Sequence, residues 1–318
     1  MAPHLSYATS ALPPLPRAID LKRGSTRVIS AHEQHGFIPI SLSGLSSLHV
    51  RGPYLLLLAQ VSGTSRLSAQ EGQFLLQRGD WMVLDPESRP DVQLHCASRA
   101  LGFAMRLGSS LDAPRYVKPL ANVFPGSGVL QPEALRFARK LCLRAWAAIA
   151  ADPSIEASRL EALSNHLATL QADLIPAINR CPGRSLRRKR GVFWRLQRVR
   201  MYMLGNCERA ISLKELSALA GMSSWHFSKT FSHVYQETVR EALARIRMQR
   251  AKTMLLDPVN SVSEVSEACG YPDPCTFARA FKVHHGMSAS TWRSACSRWH
   301  RAAPETGFAY PRVIVSPG

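Results

Sequence analysis

Two short segments of the chain repeat one frame of aromatic, basic and aromatic residues. FSKTF occupies residues 227–231 and FARAF occupies residues 277–281. A Phe pair four residues apart shares one face of an α-helix, and the Lys or Arg midway between them points away from that face. Each segment therefore predicts a helix that is anchored by Phe and presents one cation, Lys229 or Arg279. Such a cation can hydrogen-bond a base edge, although the spacing alone also fits two amphipathic helices with solvated charges.

The charge of the chain favours a polyanionic partner. Lys and Arg total 40 against 22 Asp and Glu, which gives a net charge of +18. Residues 1–180 hold 18 basic and 13 acidic side chains, whereas residues 181–318 hold 22 and 9, so the excess lies in the half that contains both frames. Nucleic acid is the commonest partner of such a domain. An anionic membrane is the competitor, but no apolar run of spanning length and no lipidation signal accompany the charge.

The first twenty residues and the cysteines predict a cytoplasmic location. The start, MAPHLSYATSALPPLPRAID, has neither a basic head nor a continuous apolar core, so it does not read as an export signal. The 7 cysteines show no paired spacing and are predicted to be reduced thiols. Cys269 and Cys275 do not form the close doublet of a zinc ribbon, and no metal or other cofactor is predicted.

The first part of the chain predicts a β-rich domain. Residues 1–30 are Pro-rich and aperiodic, which predicts a loose arm, and residues 31–180 are predicted to form an effector-binding and dimerisation domain. Short apolar runs such as PYLLLLA at residues 53–59 and WMVL at residues 81–84 alternate with Gly, Pro and Asp between residues 37 and 107. This texture fits strands of a small barrel or sandwich, whose mouth is a common ligand site.

A helical region follows the strands. Within residues 131–179 a leucine series keeps the alternating three and four spacing of a coiled-coil seam: Leu160, Leu163, Leu167, Leu170 and Leu174. The seam predicts pairing with a second copy of the chain, and a helix packed on its own barrel remains the alternative. Residues 181–193, CPGRSLRRKRGVF, predict a basic linker that can also touch phosphates, and residues 298–318 predict a loose tail.

The first frame lies in a pattern typical of a helix-turn-helix. Ser212 and Glu215 are spaced as a capping box, Gly221 ends the helix they begin, and Ser223 caps the next helix, which carries FSKTF. A short helix, a turn containing Gly and a second helix constitute this motif, in which the second helix reads DNA.

The second frame repeats the pattern. Ser261 and Glu264 form another predicted capping box, Gly270 ends the helix, and Asp273 with Pro274 begins the helix that carries FARAF. Residues 240–256 predict a long helix between the two units. If this helix separates them by one turn of B-DNA, about 34 Å, both presented cations enter successive major grooves.

Residues 194–297 resemble the DNA-binding domain of the AraC family of bacterial transcription regulators. The resemblance is carried by LSALAGMS at 216–223, the Phe pair of 227–231, RMQRA at 247–251, and GYPDPCTFARAFK followed by GMSASTWR at 270–293. GDWMVLDP at 79–86 resembles, more weakly, the cupin-like effector domains of that family. The resemblance implies an α+β two-domain chain with an N-terminal cupin-like β-barrel and a C-terminal all-α domain.

The resemblance also implies a function and its residues. The chain is expected to be a transcription regulator, commonly an activator, that binds promoter DNA as a homodimer, responds to a small-molecule effector and contacts RNA polymerase. The implied DNA-contacting positions are Ser224, Trp225, His226, Ser228 and Lys229 in the first helix and Pro274, Cys275, Ala278 and Arg279 in the second. Ser224 and His226 are expected near phosphate, and Arg279 can form a bidentate pair with guanine.

This chain departs from the family at three turn positions. Gln236 and Val239 stand where Gly and Pro are usual, and Ala289 follows Ser288 in place of Pro. These positions shape the turns, so they bear on how the bridging helix begins.

Several residues have a structural reading beside the functional one. The four Phe of the two frames are predicted to be core, and Trp225 fits either core or DNA surface. His226, His284 and His285 are predicted to be surface or phosphate contacts instead of metal ligands. Trp292 with Arg293 is predicted to close the last helix onto the core.

Two other classes of protein remain as alternatives. A metal-dependent cupin enzyme fused to a DNA-binding domain would need clustered ligands, but His49 and His95 are isolated, and Glu71 and Glu87 are not arranged around them. No nucleophile elbow or phosphate-binding loop occurs, so the chain is not predicted to be an enzyme. A nonspecific architectural DNA binder would need only the charge, and two separately capped units argue against it.

Overall fold

The computed structural model describes residues 18–33, 37–106, 123–151, 168–257 and 259–302. A β-rich amino-terminal part precedes a helical carboxyl-terminal part, so the expected α+β organisation is confirmed. Within these residues no helix has the length and apolarity needed to cross a lipid bilayer.

The amino-terminal part contains strands arranged in two sheets. The strands are β1 (Ile19–Leu21), β2 (Thr26–Ile29), β3 (Phe37–Ser43), β4 (Ser47–Val50), β5 (Tyr54–Ser62), β6 (Thr64–Ala69), β7 (Gly72–Gln77), β8 (Asp80–Leu84), β9 (Asp91–Leu94), β10 (Arg99–Arg106) and β11 (Gly126–Val129). One sheet has the order β1-β3-β10-β5-β8-β11 and the other has the order β2-β4-β9-β6-β7. The described strands therefore do not close into a single barrel, which corrects that part of the expectation.

The apolar run in β5 is explained by burial on both faces of its sheet. Leu56 and Leu58 point into the core shared with the second sheet, whereas Leu55 and Leu57 pack on the opposite side. That opposite side is covered by Leu135 of helix α1 (Pro132–Ala151). A strand that is buried on both faces reads as a continuous hydrophobic run.

Helices dominate the chain from residue 168 onward. They are α2 (Ile175–Arg180), α3 (Leu186–Gly205), α4 (Leu213–Leu219), α5 (Ser224–Tyr235), α6 (Val239–Met254), α7 (Val262–Ala268), α8 (Pro274–His285) and α9 (Ala289–Ala302). The predicted pair of helix-turn-helix units corresponds to α4 with α5 and to α7 with α8. Helix α6 lies between them, as the sequence predicts.

The structure differs from the expected arm of residues 1–30. Strand β1 pairs in parallel with β3, and β2 pairs in parallel with β4, because these pairings bury Ile19, Leu21 and Ile29. Only residues 18–30 of the predicted arm can be compared, since residues 1–17 lie outside the described ranges.

The predicted linker and tail also contain helix. The sequence predicts a linker over residues 181–193, but α3 begins at Leu186 because Ser185 caps it by accepting a hydrogen bond from the Arg188 backbone N–H. Helix α9 continues to Ala302, past the predicted start of the tail at residue 298. Residues 303–318 lie outside the described ranges.

Most of the predicted leucine seam lies outside the described residues, namely Leu160, Leu163 and Leu167. Leu170 and Leu174 are partly buried against cores of this chain. The dimer interface stays a prediction.

Candidate nucleic-acid interface

The first unit is fixed by local hydrogen bonds at its turn. Ser223 caps α5 by accepting a hydrogen bond from the His226 backbone N–H at 3.3 Å. Gly221 has φ +63°, the left-handed conformation that a helix-ending turn requires and that Gly adopts without steric cost. The Ser217 and Ser224 hydroxyls lie 3.1 Å apart and join the two helices across this turn.

The predicted capping box at the start of α4 is only half formed. Ser212 Oγ accepts the Glu215 backbone N–H at 3.1 Å, but the Glu215 carboxylate turns to the Arg209 guanidinium, with Arg209 Nη2 2.5 Å from Glu215 Oε1. The Tyr202 hydroxyl donates to the same oxygen. The Arg209 guanidinium is a full cation, so its ion pair with the carboxylate is stronger than the hydrogen bond that the uncharged Ser212 N–H would donate. The hydrogen bonds from Arg209 and then Tyr202 lower the pKa of Glu215 to about 2.

Helix α5 has a buried face and an exposed face. Phe227 and Phe231 are both 0% exposed, which confirms their predicted core role. Trp225 is 71% exposed, so the core alternative for this residue is wrong. Lys229 is exposed, and its ammonium nitrogen lies 5.0 Å from the Trp225 ring centroid. The two side chains thus form one surface feature on the first two turns of the helix.

The other candidate positions of α5 lie around that pair. His226 is exposed, and Ser224 and Ser228 are half-buried beside the exposed face. The face therefore combines a cation, an indole ring and hydroxyl groups, a set that can hydrogen-bond base edges and contact phosphate.

The second unit begins with a complete capping box. The Ser261 hydroxyl accepts the Glu264 backbone N–H at 3.1 Å, and the Glu264 carboxylate accepts the Ser261 N–H at 2.6 Å, as the sequence predicts. The backbone hydrogen bond from Ser261 lowers the pKa of Glu264. Gly270 has φ +74° at the turn. Asp273 then caps α8 by accepting the Cys275 and Thr276 backbone N–H groups.

Helix α8 presents a different surface from α5. Phe277 and Phe281 are 0% exposed, as predicted, and the predicted contact residues Pro274, Cys275, Ala278 and Arg279 are all exposed. Among these four, only the Arg279 guanidinium is a strong hydrogen-bond donor. Base recognition by the predicted contact positions of α8 would therefore depend on the Arg279 side chain.

Helix α6 joins the units and begins at a complete capping box. The Thr238 hydroxyl accepts the Glu241 backbone N–H, and the Glu241 carboxylate accepts the Thr238 N–H at 2.7 Å. The helix has 16 residues, and such a helix spans about 24 Å. The turn before it places Gln236 at φ 58°, where the second unit has Gly286 at φ 74°. The family departure at Gln236 is thus accommodated by a left-handed non-Gly residue.

Helix α3 connects the first unit to the β-rich part through side chains that the sequence analysis does not single out. On α3, Trp194 Nε1 donates to Asp85 Oδ2 at 2.8 Å, and Arg198 Nη1 lies 2.8 Å from Glu87 Oε2. On another side of the same helix, Arg195 Nη1 donates to the Ala220 carbonyl at the turn of the first unit, at 3.2 Å. These partners are far apart in sequence, so no local pattern signals them.

Of the three histidines predicted at the surface, His226 and His284 are exposed, whereas His285 has a structural partner, as His49 does. His285 is half-buried with its ring centroid 4.5 Å from that of Phe281, and burial lowers its pKa. His49 Nδ1 lies 2.5 Å from Asp91 Oδ1. In the described part of the chain no three potential metal-ligating side chains cluster together. Trp292 packs against the core of the second unit, as predicted.

Comparisons with known proteins point to the same helices. Residues 216–295 match a family model described as a helix-turn-helix domain. The chain is 26% identical to the Msm operon regulatory protein of Streptococcus mutans over 84 residues, which are 26% of this chain and 30% of that protein. It is 28% identical to the lactose operon transcription activator of Staphylococcus xylosus over 88 residues, which are 28% of this chain and 32% of that protein.

Among solved structures, a probable AraC family transcriptional regulator from Rhodopseudomonas palustris is 26% identical, with a TM-score of 0.30. The alignment covers 31% of this chain and 93% of that one. The chain therefore matches about a third of the length of the two curated relatives. The residues that match the family model lie in the helical carboxyl-terminal part.

Proposed function

From the AraC-type helix-turn-helix domain that this chain carries, we propose that the protein is a sequence-specific DNA-binding transcription regulator, most simply an activator. The observation that carries the proposal is the pair of capped helices, α5 and α8, each anchored by two fully buried Phe and each presenting a cation, Lys229 or Arg279. An activator is favoured because the similar protein of Staphylococcus xylosus bears that description.

In the proposed complex, α5 and α8 enter successive major grooves on one face of the duplex. Lys229 and Trp225, with Ser228, would contact base edges from α5, and Ser224 and His226 would contact phosphate. Arg279 would pair with a guanine from α8, while Pro274, Cys275 and Ala278 would line the groove. Helix α6 would hold the two reading helices about 34 Å apart, one turn of B-DNA.

We also propose that residues 31–180 form a cupin-like effector domain and residues 194–297 the DNA-binding domain. Two facing sheets are an arrangement that cupins share with other double-sheet folds. An effector would act through α3, because this helix contacts Asp85 and Glu87 of the β-rich part and the Ala220 turn of the first unit. A homodimer in the cytoplasm that contacts RNA polymerase completes the proposal.

A catalytic role for the β-rich part is not proposed. His49, a candidate ligand in a cupin enzyme, is hydrogen-bonded to Asp91, and that carboxylate is shared with Arg51. Both partners lower the pKa of Asp91, although burial opposes this effect.

The proposal is tested by selection of sequences from a random duplex library with the purified full chain, at near-physiological salt and with increasing competitor DNA. A motif with two blocks about one helical turn apart is expected. Affinity for that motif should exceed affinity for random DNA by at least about 10³-fold. A protein that enriches no motif and binds all duplexes alike would be an architectural binder.

A further inference from the structure

The start of α3 carries a dense group of cations, which we call the basic turn: Arg184, Arg187, Arg188, Lys189 and Arg190. Arg184, Arg187 and Arg188 are exposed. Within the described residues, none of these three forms an ion pair with a carboxylate. Three arginines that are close in sequence and lack an acidic partner within the described residues form a strongly positive surface patch.

The position of these cations is unfavourable for the helix itself. The amino terminus of a helix carries a partial positive charge, so acidic residues stabilise the first turn and basic residues destabilise it. Four other helices follow this rule, with Glu133 in α1, Glu215 in α4, Glu241 in α6 and Glu264 in α7. The first turn of α3 contains no acidic residue. Helix stability therefore does not account for the basic turn, and a polyanionic partner would.

Two hydrogen bonds place the basic turn beside the first reading helix. Arg180 Nε donates to the Val234 carbonyl in the last turn of α5 at 2.8 Å. Lys189 Nζ donates to the Asn179 carbonyl, next to Arg180, at 2.6 Å. The basic turn is thereby tethered to the carboxyl-terminal end of α5.

In a complex with DNA, the carboxyl-terminal end of α5 would lie near the phosphate backbone. The amino-terminal residues of the second helix in a helix-turn-helix contact the bases. Helix α5 has 12 residues, so it is about 18 Å long, whereas the major groove is about 12 Å wide. The carboxyl-terminal end of α5 would consequently project past the bases toward the phosphates at the edge of the groove.

The second unit carries its own cation, Lys282, at the matching place. The last turn of α8 contains Lys282 and His284, both exposed, together with the half-buried His285. The last turn of α5 contains His233 as its basic residue. The basic turn of α3 thus supplies the first reading helix with the positive charge that α8 provides within its own sequence.

We propose that the basic turn is a third DNA-contacting element, in which Arg184, Arg187 and Arg188 bind backbone phosphates beside α5. The proposal rests on the proposed function and extends it to a surface outside the two helix-turn-helix units. Because phosphate contacts carry no base information, the basic turn sets affinity and orientation and leaves sequence preference unchanged.

The test compares the full chain with the triple variant Arg184→Gln, Arg187→Gln, Arg188→Gln. The dissociation constant is measured against salt concentration, on a random duplex and on any duplex the wild type selects. Each lost phosphate contact reduces the slope of log affinity against log salt by about 0.9. With three contacts, a fourfold rise in salt should weaken the wild type about 40-fold more than the variant.

A matched control removes three exposed charges elsewhere. The variant Lys22→Gln, Arg23→Gln, Arg78→Gln changes the net charge equally on the β-rich part, and it should keep the wild-type slope. The triple Arg→Lys variant of the basic turn keeps the charges and should also keep that slope. The Gln variant is expected to melt no lower than the wild type, since it removes cations from the positive end of α3.

Three results would overturn the proposal: equal slopes for the wild type and the Gln variant, equal losses in the Gln variant and the control, or an altered selected motif. Loss of binding to phosphatidylserine vesicles with an unchanged DNA slope would also overturn it and would identify a lipid surface as the partner. The random duplex separates this test from that of the proposed function. A slope change there supports the basic turn even if the wild type selects no motif.

Discussion

The first helix-turn-helix unit packs into a core that reaches from α5 through α2 and α3 to Phe124 of the β-rich part. The core of the second unit is smaller and is drawn from α6, the residue that follows it, and α7, α8 and α9. Two units with the same turns and the same Phe pairs are therefore supported unequally. The first packs against α2, α3 and the β-rich part, whereas the second packs mainly on α6 and α9, with its Gly270 turn close to the Cys207 and Glu208 carbonyls.

The proposed reading surfaces of α5 and α8 are also unequal. Helix α5 presents Trp225, Lys229 and neighbouring hydroxyls, whereas α8 presents Arg279 among groups with little hydrogen-bonding capacity. The first unit, which packs against more of the chain, is thus also the unit whose exposed face has more groups that can contact bases. Rigid support matters for reading because a side chain selects a base only when its position is fixed.

The largest expected effect comes from truncation of the matched core Phe residues. Phe231→Ala and Phe281→Ala each remove a fully buried ring and should cost about 3–5 kcal/mol of unfolding free energy. Hydrogen exchange should rise through α2, α3 and α5 in the first variant. In the second variant it should rise in the carboxyl-terminal half of α6 and in α7, α8 and α9, and stay unchanged in α2 and α3. If hydrogen exchange rises over the same helices in both variants, the two units do not differ in how they pack against the rest of the chain, and the account is contradicted.

The next largest effect is expected on base discrimination when the exposed cations Lys229 and Arg279 are removed. Lys229→Ala and Arg279→Ala should each reduce discrimination by about 1–3 kcal/mol at the base pair that the side chain contacts. Repeated selection with each variant should blur one block of the motif and leave the other intact. Lys214→Ala, which removes an exposed cation from α4, serves as the control and should leave both blocks unchanged. An unchanged motif in both test variants would remove these residues from base reading.

A smaller effect is expected at the turns after the reading helices. Gln236 at φ 58° carries the steric cost of a left-handed side chain, so Gln236→Gly should stabilise the chain by about 0.5–1 kcal/mol in denaturant unfolding. The gain is reduced by loss of the hydrogen bond from Gln236 Nε2 to the His233 carbonyl.

Gly286→Ala is the matched change in the second unit. A Cβ there would meet no atom within 4 Å, so the backbone conformation is the main cost, about 1–2 kcal/mol. A destabilised Gln236→Gly variant together with a neutral Gly286→Ala variant would show that the two turns are not equivalent.

The smallest effect is the pH dependence of the first unit. The pKa of Glu215 is about 2 in the folded chain, because of Arg209 and then Tyr202, against about 4.3 for an unfolded Glu. Its contribution is complete above about pH 4.3 and is lost as pH falls through about 2. Glu215→Gln should lower the midpoint of urea unfolding slightly at pH 6 and leave it near the wild-type value at pH 2. An equal difference at both pH values would contradict this role.

The sequence predicts the two units well because their signals are local. Each helix cap and turn glycine shapes the backbone within a few residues of its own position. The spacing of these residues therefore locates the turns, as for Ser223 and Gly221 in the first unit and Asp273 and Gly270 in the second. The Phe positions follow from helix periodicity for the same reason. The predicted capping box of Ser212 and Glu215 is only half formed, because the Glu215 carboxylate binds Arg209 and Tyr202, which lie outside the motif.

The β-rich part was predicted less completely because its structure depends on distant pairings. Strand β1 pairs with β3 about twenty residues away, and β10 pairs with β5 about forty to fifty residues away. Alternation of apolar residues predicts strands but not which strands are neighbours. The sequence therefore does not distinguish a closed barrel from two facing sheets. The contacts of Trp194 and Arg198 with Asp85 and Glu87 were hidden for the same reason.

The central claim is that α5 and α8 read successive major grooves at a separation fixed by α6. Insertion of five base pairs between the two blocks of the selected duplex tests it most directly, because the insertion turns the second block to the opposite face. Affinity should fall to that of a duplex with one block, and ten inserted base pairs should not restore it, since one chain cannot lengthen α6. Undiminished affinity after either insertion would contradict the account.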